Sequence, residues 1–477
     1  MSEYVGRSLY SSTTPYFESA NLIAHRAAGI PFPSLSGEDE YRASVASLYA
    51  GGEGVVADQG VSWATPVEIF QPHFGRVLSR AVSSALSSGG AVVEIGGGTG
   101  TGMLTLLDAL EDEDPEAYAR LESYTVVEIS HTLHTLQKKR LADGGRHMDK
   151  VNLVCSPFQD WTPPPQLREV PTLVLALEVL DNCPHDLIRW ADGAYRPEIA
   201  VVAEDALTPP ESRRSGSRSK RTKPVLEWVS MDAPELENME GLHDLLEIRS
   251  QLDMAAYATP KLRSSLGLGS LFSGAADGMA SLISSVMDMV PLNASSRTTD
   301  PSSGARHDHA YTLEWVPTAA FEILDHIHAS LPQAGILMTD FDSLPGLIPF
   351  QGPLAPVVQL RDASTGETVR HESVLDPLPG TADIFHATDF TWLAATNDAL
   401  RSRYARVPHG GDGGGGGEGE EGAAMTTFHA KHAAFIEAWI GDEDKSALTT
   451  KSGYIPIISD FSNVSFAWQN PTRTSTL

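Results

Sequence analysis

Val92-Val93-Glu94-Ile95-Gly96-Gly97-Gly98-Thr99-Gly100 is the stretch whose reading decides the fold. The short β-branched run from Ala91 to Ile95 predicts a buried strand, the glycines predict a turn, and Met103 to Leu110 predicts a helix. That order opens a doubly wound α/β unit, in which ligands bind beyond the carboxyl ends of the parallel strands. Glycines there let the backbone take positive φ and let a ligand come close.

Outward from this stretch the alternation continues. Strands are expected at Tyr124 to Ile129, Val151 to Cys155 and Thr172 to Leu177, with a fifth offered at Ala200 to Ala203. A helix is expected at His131 to Leu141. Strands alternating with helices point to a parallel sheet with right-handed crossovers. Upstream, Asn21 to Ala28 and Tyr41 to Tyr49 have helical spacing, and Ile69 to Leu86 reads as one amphipathic helix. Downstream, Arg213 to Lys223 is basic and Ser-rich, Ser264 to Ala275 is Ser/Gly-rich, and Ser295 to His309 is polar. Regularity returns with a helix at Ala319 to Leu331, a strand at Gly335 to Thr339 and a helix at Phe428 to Ile440. The expected organisation is a helical lead-in over 1–60, a core in two parts over 61–205 and 311–345, and a partly disordered insertion over 206–310. A C-terminal α+β extension over 346–477 carries a flexible Gly/Glu loop at 410–422.

The residues around the glycines select the ligand. Dinucleotide sites need G-x-G-x-x-G, so that a helix start meets a pyrophosphate. Reading from Gly96 or Gly98, the last position is Thr101 or Met103 instead. A P-loop needs Gly-Lys-Ser/Thr, and no lysine follows. Glu94 sets a carboxylate beside the ligand, which repels a pyrophosphate and suits a cationic, phosphate-free nucleoside such as S-adenosyl-L-methionine. Glu128 ends the second strand, where a carboxylate accepts hydrogen bonds from ribose hydroxyls. Ser156, Pro157 and Phe158 follow the third strand, placed to cover an adenine ring. The cofactor set is therefore Glu94, Gly96, Gly98, Thr99, Gly100, Glu128, Ser156, Pro157 and Phe158.

After the fourth strand comes Glu178-Val179-Leu180-Asp181-Asn182-Cys183-Pro184-His185, the loop facing the cofactor's reactive end. Two carboxylates three residues apart point together if a helical turn begins there. They could grip two nitrogens of a guanidinium by charge-assisted hydrogen bonds and leave the third aimed at a methyl group. The competing reading makes Glu178 and Asp181 helix-dipole acids. The histidines fit no metal site, and no Ser-His-Asp arrangement has defensible spacing.

Composition bounds the partners. The 477 residues carry 62 acidic against 34 basic side chains, a formal net charge of -28. That balance argues against nucleic-acid binding and suits a basic partner or simple solubility. Two cysteines, Cys155 and Cys183, point to a reducing compartment. No apolar run reaches the ~20 residues of a bilayer span. Residues Met1 to Gly29 have no apolar signal core and mix Arg7 and Arg26 with Glu3 and Glu18, which leaves targeting open.

Taken together, Glu94 to Gly100 resembles the loop of class I methyltransferases, and several segments resemble the MidA-type methyltransferases. Thr65-Pro66-Val67-Glu68-Ile69 with Phe74-Gly75 is similar to the family's T-S-P-E-I segment. Val127-Glu128-Ile129-Ser130, Glu178-Val179-Leu180-Asp181 with Pro184, and Asp340-Phe341 follow in family order. Gly380-Thr381-Ala382-Asp383 and Asp389-Phe390 complete the set. Departures are Val67, Leu177, Asp342, the insertion and the glycine tract. The resemblance implies a mitochondrial matrix enzyme, with cytoplasm as the alternative. Using S-adenosyl-L-methionine, it would dimethylate an arginine of a respiratory complex I subunit during assembly. It implies Glu178 and Asp181 as the catalytic pair, and Thr65, Pro66 and Glu68 as a lid or substrate edge. No metal is expected, and homo-oligomerisation stays open. The rival readings are an assembly scaffold without turnover and a nicotinamide-dependent oxidoreductase.

Overall fold

The computed structural model describes residues 1–10, 15–18, 30–49, 64–191, 198–202, 226–230, 242, 244–248, 311–344, 352, 354–361, 368–405 and 426–471. The helix expected at Asn21 to Ala28, the stretches Arg213 to Lys223, Ser264 to Ala275 and Ser295 to His309, and the tract Gly410 to Gly422 lie outside the described residues.

Strands in chain order are β1 (Gly90–Ile95), β2 (Leu121–Glu128), β3 (Val151–Cys155), β4 (Thr172–Leu177), β5 (Asp186–Ala191), β6 (Glu198–Val202) and β7 (Leu226–Ser230). They continue with β8 (Tyr311–Val316), β9 (Ala334–Phe341), β10 (Val357–Arg361), β11 (Thr368–His371), β12 (Asp383–Phe385), β13 (Phe428–Lys431) and β14 (Val464–Gln469). The helices used below are α1 (Ser2–Tyr10), α2 (Glu38–Tyr49), α3 (Pro66–Ile69), α4 (His73–Ala85), α5 (Thr101–Glu113), α6 (Pro115–Arg120), α7 (His131–Gly144), α8 (Thr318–Ser330) and α9 (Phe390–Ala405).

Among the described residues the central sheet has seven strands in the order β3-β2-β1-β4-β9-β14-β13. β1 pairs in parallel with β2 and β4, β4 with β9 and β2 with β3, while β14 runs antiparallel to β9. This is the doubly wound class expected. Successive strands run outward from β1 in one direction to β3, then restart at β4 in the other, which leaves a crevice at the carboxyl ends of β1 and β4. β4 is buried at every position because helices cover both faces. Val92, Val126, Leu173 and Leu175 pack under Phe74, Leu78, Leu106 and Leu107 of α4 and α5. Ala91, Val93, Val174 and Ala176 face the other way, against Phe321, Leu324 and Ile327 of α8 and Leu393 of α9. The period-two alternation of β1 puts Glu94 on the α5 side, with Val92.

Four expectations change. Ile69 to Leu86 is not one helix: Pro72, which lacks a backbone N–H, separates α3 from α4. The strand offered at Ala200 to Ala203 is β6, and it joins a separate antiparallel sheet, β7-β6-β5-β8, instead of the central one. Phe428 to Ile440 opens as strand β13 before turning helical at His432, because its backbone pairs with β14. The C-terminal region supplies β13 and β14 to the central sheet. A third sheet, β11-β10-β12, packs with β6 around Val5 and Leu9 of α1.

Candidate functional site

β1 ends at Ile95 and the chain turns at once into α5. Gly96, Gly98 and Gly100 have φ of 67°, 53° and 83°, which side-chain-bearing residues rarely adopt. A Cβ on Gly96 would stand 2.9 Å from Val179 Cγ2, so the glycine turn after β1 and the loop after β4 lie in contact.

Glu94 is buried and accepts the Tyr124 hydroxyl at 3.0 Å. Burial pushes its carboxyl up to about 7 against that bond. Glu128 is equally buried and accepts the Ser130 amide at 2.9 Å and the Gln137 side chain at 3.2 Å. Burial raises it to about 7 as well. Gln137 also donates to the Gly98 carbonyl at 2.8 Å, tying the glycine turn to α7.

Glu68 sits beneath that turn. Its carboxylate accepts the hydroxyls of Thr99 and, at 2.7 Å, Thr101. Arg140 of α7 reaches the Thr99 carbonyl at 2.9 Å and the Thr101 hydroxyl at 2.7 Å. Thr65 caps α3 and Pro66 opens it, so this short helix presents Glu68 to the cofactor turn.

The loop after β4 gathers acids. Glu178 extends the pairing with β9 through its amide to Thr339 O at 2.9 Å, then turns the chain with φ of 54°. For a residue with a side chain that is a strained conformation, of the kind found at ligand sites. Asp340 Oδ2 accepts the Asp181 amide at 3.0 Å, and its Oδ1 accepts the Phe341 amide at 2.7 Å. Asp383 accepts the Asn182 side chain at 3.0 Å. Burial, then Asp340, raises Glu178 to about 8. Burial raises Asp340 and Asp383 to about 7. Asp181 rises too, through burial first and then Asp340, Asp383 and Glu178. Its Oδ1 is buried with no hydrogen-bond partner among the described residues.

The structure thus brings Glu94, Gly96, Gly98, Thr99, Gly100, Glu128, Glu68, Glu178 and Asp181 to one end of the sheet. Ser156 lies just past β3, its amide bonded to the Glu128 carbonyl at 3.0 Å, and Pro157 is exposed. The Phe158 ring is buried, edge-on to His326 at 5.2 Å and beside Trp161. Sequence reasoning missed Gln137, Arg140 and Asn182, and cast neither Asp340 nor Asp383 in a site role. Asp340 directly follows the strand expected at Gly335 to Thr339, and that position is the available signal; Asp383 adjoins no expected strand.

A family model described as "Putative S-adenosyl-L-methionine-dependent methyltransferase" matches residues 77–406. Comparison with curated proteins finds no match. Among solved structures, a protein from Burkholderia thailandensis bound to S-adenosyl-homocysteine aligns at 15% identity and a TM-score of 0.49, covering 100% of this chain and 92% of that one. An uncharacterized superfamily protein from the same organism aligns at 14% identity and 0.47, covering 98% and 86%. The CcbJ methyltransferase of Streptomyces caelestis aligns at 10% identity and 0.32, covering 84% and 91%.

Proposed function

The chain belongs to this family of S-adenosyl-L-methionine-dependent methyltransferases, and from that premise we propose that it methylates an arginine side chain of a protein. The observation that carries the acceptor is Asp181 Oδ1, a buried carboxyl oxygen without a partner among the described residues, set among Glu178, Asp340 and Asp383. Buried polar atoms are ordinarily satisfied, and carboxylates crowded together ask for a cation. A guanidinium offers several N–H donors in a planar fork.

The chain fits the cofactor. Three left-handed glycines lie in the turn after β1, and the buried Glu94 and Glu128 stand near the carboxyl ends of β1 and β2 beside it. Glu94, Gly96, Gly98, Thr99, Gly100 and Glu128 would hold the cofactor. S-adenosyl-L-methionine supplies an electrophilic methyl group on a sulfonium. Glu178 and Asp181 orient the guanidinium so that one nitrogen faces that methyl, and positioning lowers the barrier. The nitrogen that takes up the methyl in place of the sulfur would have to shed a proton. The Glu178 carboxylate, ionised by the guanidinium it binds, would be in place to take that proton, and the burial that raises it to about 8 favours its keeping it.

The finer acceptor we propose is an arginine of a mitochondrial complex I subunit, met in the matrix during assembly. Its support is the resemblance carried by Glu178 to Pro184 and Gly380 to Phe390. Incubating the protein with methyl-labelled cofactor and mitochondrial extract tests both levels. Labelled methylarginine in an acid hydrolysate of a complex I subunit is expected. Label confined to lysine, or to small molecules, would falsify the arginine reading.

A further inference from the structure

Helix α1 and the short turn Tyr16–Glu18 are bonded to three loops of the site. The Phe17 carbonyl accepts the Ser130 hydroxyl at 3.0 Å, and the Glu18 carboxylate accepts the amides of His131 and Thr132 at 2.6 and 3.0 Å, at the start of α7. Ser8 Oγ accepts the Gly380 amide at 3.1 Å, in the segment leading to Asp383. Tyr10, stacked on Phe17 with ring centroids 5.3 Å apart, donates its hydroxyl to the Asn182 carbonyl at 3.3 Å. Asn182 in turn donates its side chain to Asp383 Oδ1 at 3.0 Å and to the Ile384 carbonyl at 3.1 Å. A line of hydrogen bonds therefore runs from Tyr10 through the residue next to Asp181 and on to Asp383. Burial, and then the charges of Cys183, Asp181, Asp383 and Glu128, keep the Tyr10 hydroxyl protonated and so a donor.

We propose that Tyr10 is a positioning residue of the acceptor site, holding Asn182 and with it the segment that carries Asp181. This rests on the methyltransferase reading above. A merely structural Tyr10 would anchor α1 through its ring alone, and the hydroxyl would be dispensable.

Tyr10→Phe separates the two, because it keeps the stack on Phe17. Three measurements on the full chain are compared with wild type. The initial rate of label transfer from S-adenosyl-L-methionine to mitochondrial-extract protein is expected to fall about tenfold, the scale of one hydrogen bond. The dissociation constant for S-adenosyl-homocysteine by titration calorimetry is expected to stay within about twofold. Amide exchange over residues 178–184 is expected to quicken, with β1 unchanged. Asn182→Ala keeps the main-chain carbonyl that Tyr10 binds and loses the bond to Asp383, so it should also slow transfer, and the double variant should be slower than either alone. Wild-type rate together with wild-type exchange in Tyr10→Phe overturns the proposal. So does a loss of S-adenosyl-homocysteine affinity in step with the rate, which would move Tyr10 into the cofactor site. Tyr10-dependent exchange in a protein that labels no arginine supports the loop-holding role and sinks the arginine reading instead.

Discussion

Asp340, on the last parallel strand, holds the acceptor loop by its backbone: its Oδ2 accepts the Asp181 amide at 3.0 Å across 159 residues of sequence. The amides of Leu180 and Val179 also act on this carboxylate, so it draws the whole loop toward β9. An anion facing several N–H groups orders a loop without touching its side chains.

Asp340→Ala should therefore strip buried amides of their acceptor. A loss of about 1–3 kcal/mol in stability is expected. The transfer rate should fall further than S-adenosyl-homocysteine affinity, since Asp340 binds the acceptor loop directly and meets the glycine turn only through the contact of Val179 with Gly96. Thermal unfolding, calorimetry and label transfer on one preparation check this. Equal losses in rate and affinity would contradict it.

Acidity should show in stability. Glu94, Glu128, Asp340 and Asp383 are raised to about 7 and Glu178 to about 8, against unfolded values of about 4. The folded chain holds more protons than the unfolded chain through this window, so stability falls as pH rises. Below about pH 6.5 the buried His185, His328 and His432, lowered to about 4, oppose the trend. The unmasked interval is about pH 6.5 to about pH 8. The unfolding temperature of the cofactor-free protein should drop across it, and Glu178→Gln should flatten the upper end. A flat wild-type profile would sink the assignment of buried, protonated acids.

Gly96→Ala tests the contact between the two loops. The added Cβ meets Val179 Cγ2 at 2.9 Å and sits at φ of 67°. The conformational cost alone is about 1–2 kcal/mol. Titration calorimetry should show S-adenosyl-homocysteine binding weakened by at least about tenfold. Unchanged affinity would mean that the turn does not carry the cofactor.

Glu68 distinguishes two roles. As a substrate edge, it would affect transfer and spare cofactor binding. As the acceptor beneath Thr99 and Thr101, it would set the shape of the cofactor turn. We expect the second: Glu68→Ala should weaken S-adenosyl-homocysteine by about one to two orders of magnitude, from losing two hydrogen bonds to a charged group. Intact affinity with slowed transfer would restore the substrate-edge role.

The doubly wound core was legible because its signals are local. A strand needs an apolar run, the turn needs glycines and α5 needs helical spacing, all within Ala91 to Leu110. Ile69 to Leu86 misled because apolar spacing runs through Pro72 while the backbone cannot. β6 misled because a strand's residues record burial but not which sheet takes its hydrogen bonds. Glu178 and Asp181 could be picked out by type and position, yet nothing near them announces Asp340, Asp383 or Tyr10.

The sequence by itself determined the α/β alternation, the bare glycine turn and the acids beside it, because periodicity and positive φ act over a few neighbouring residues. Only the tertiary structure decided that Glu68 lies under Thr99, that Asp340 grips the Asp181 amide and that Tyr10 reaches Asn182, 172 residues away. Those contacts follow from sheet order and chain crossings, which bring distant segments together by burying apolar surface, and buried apolar surface does not specify which polar groups will meet at its edge.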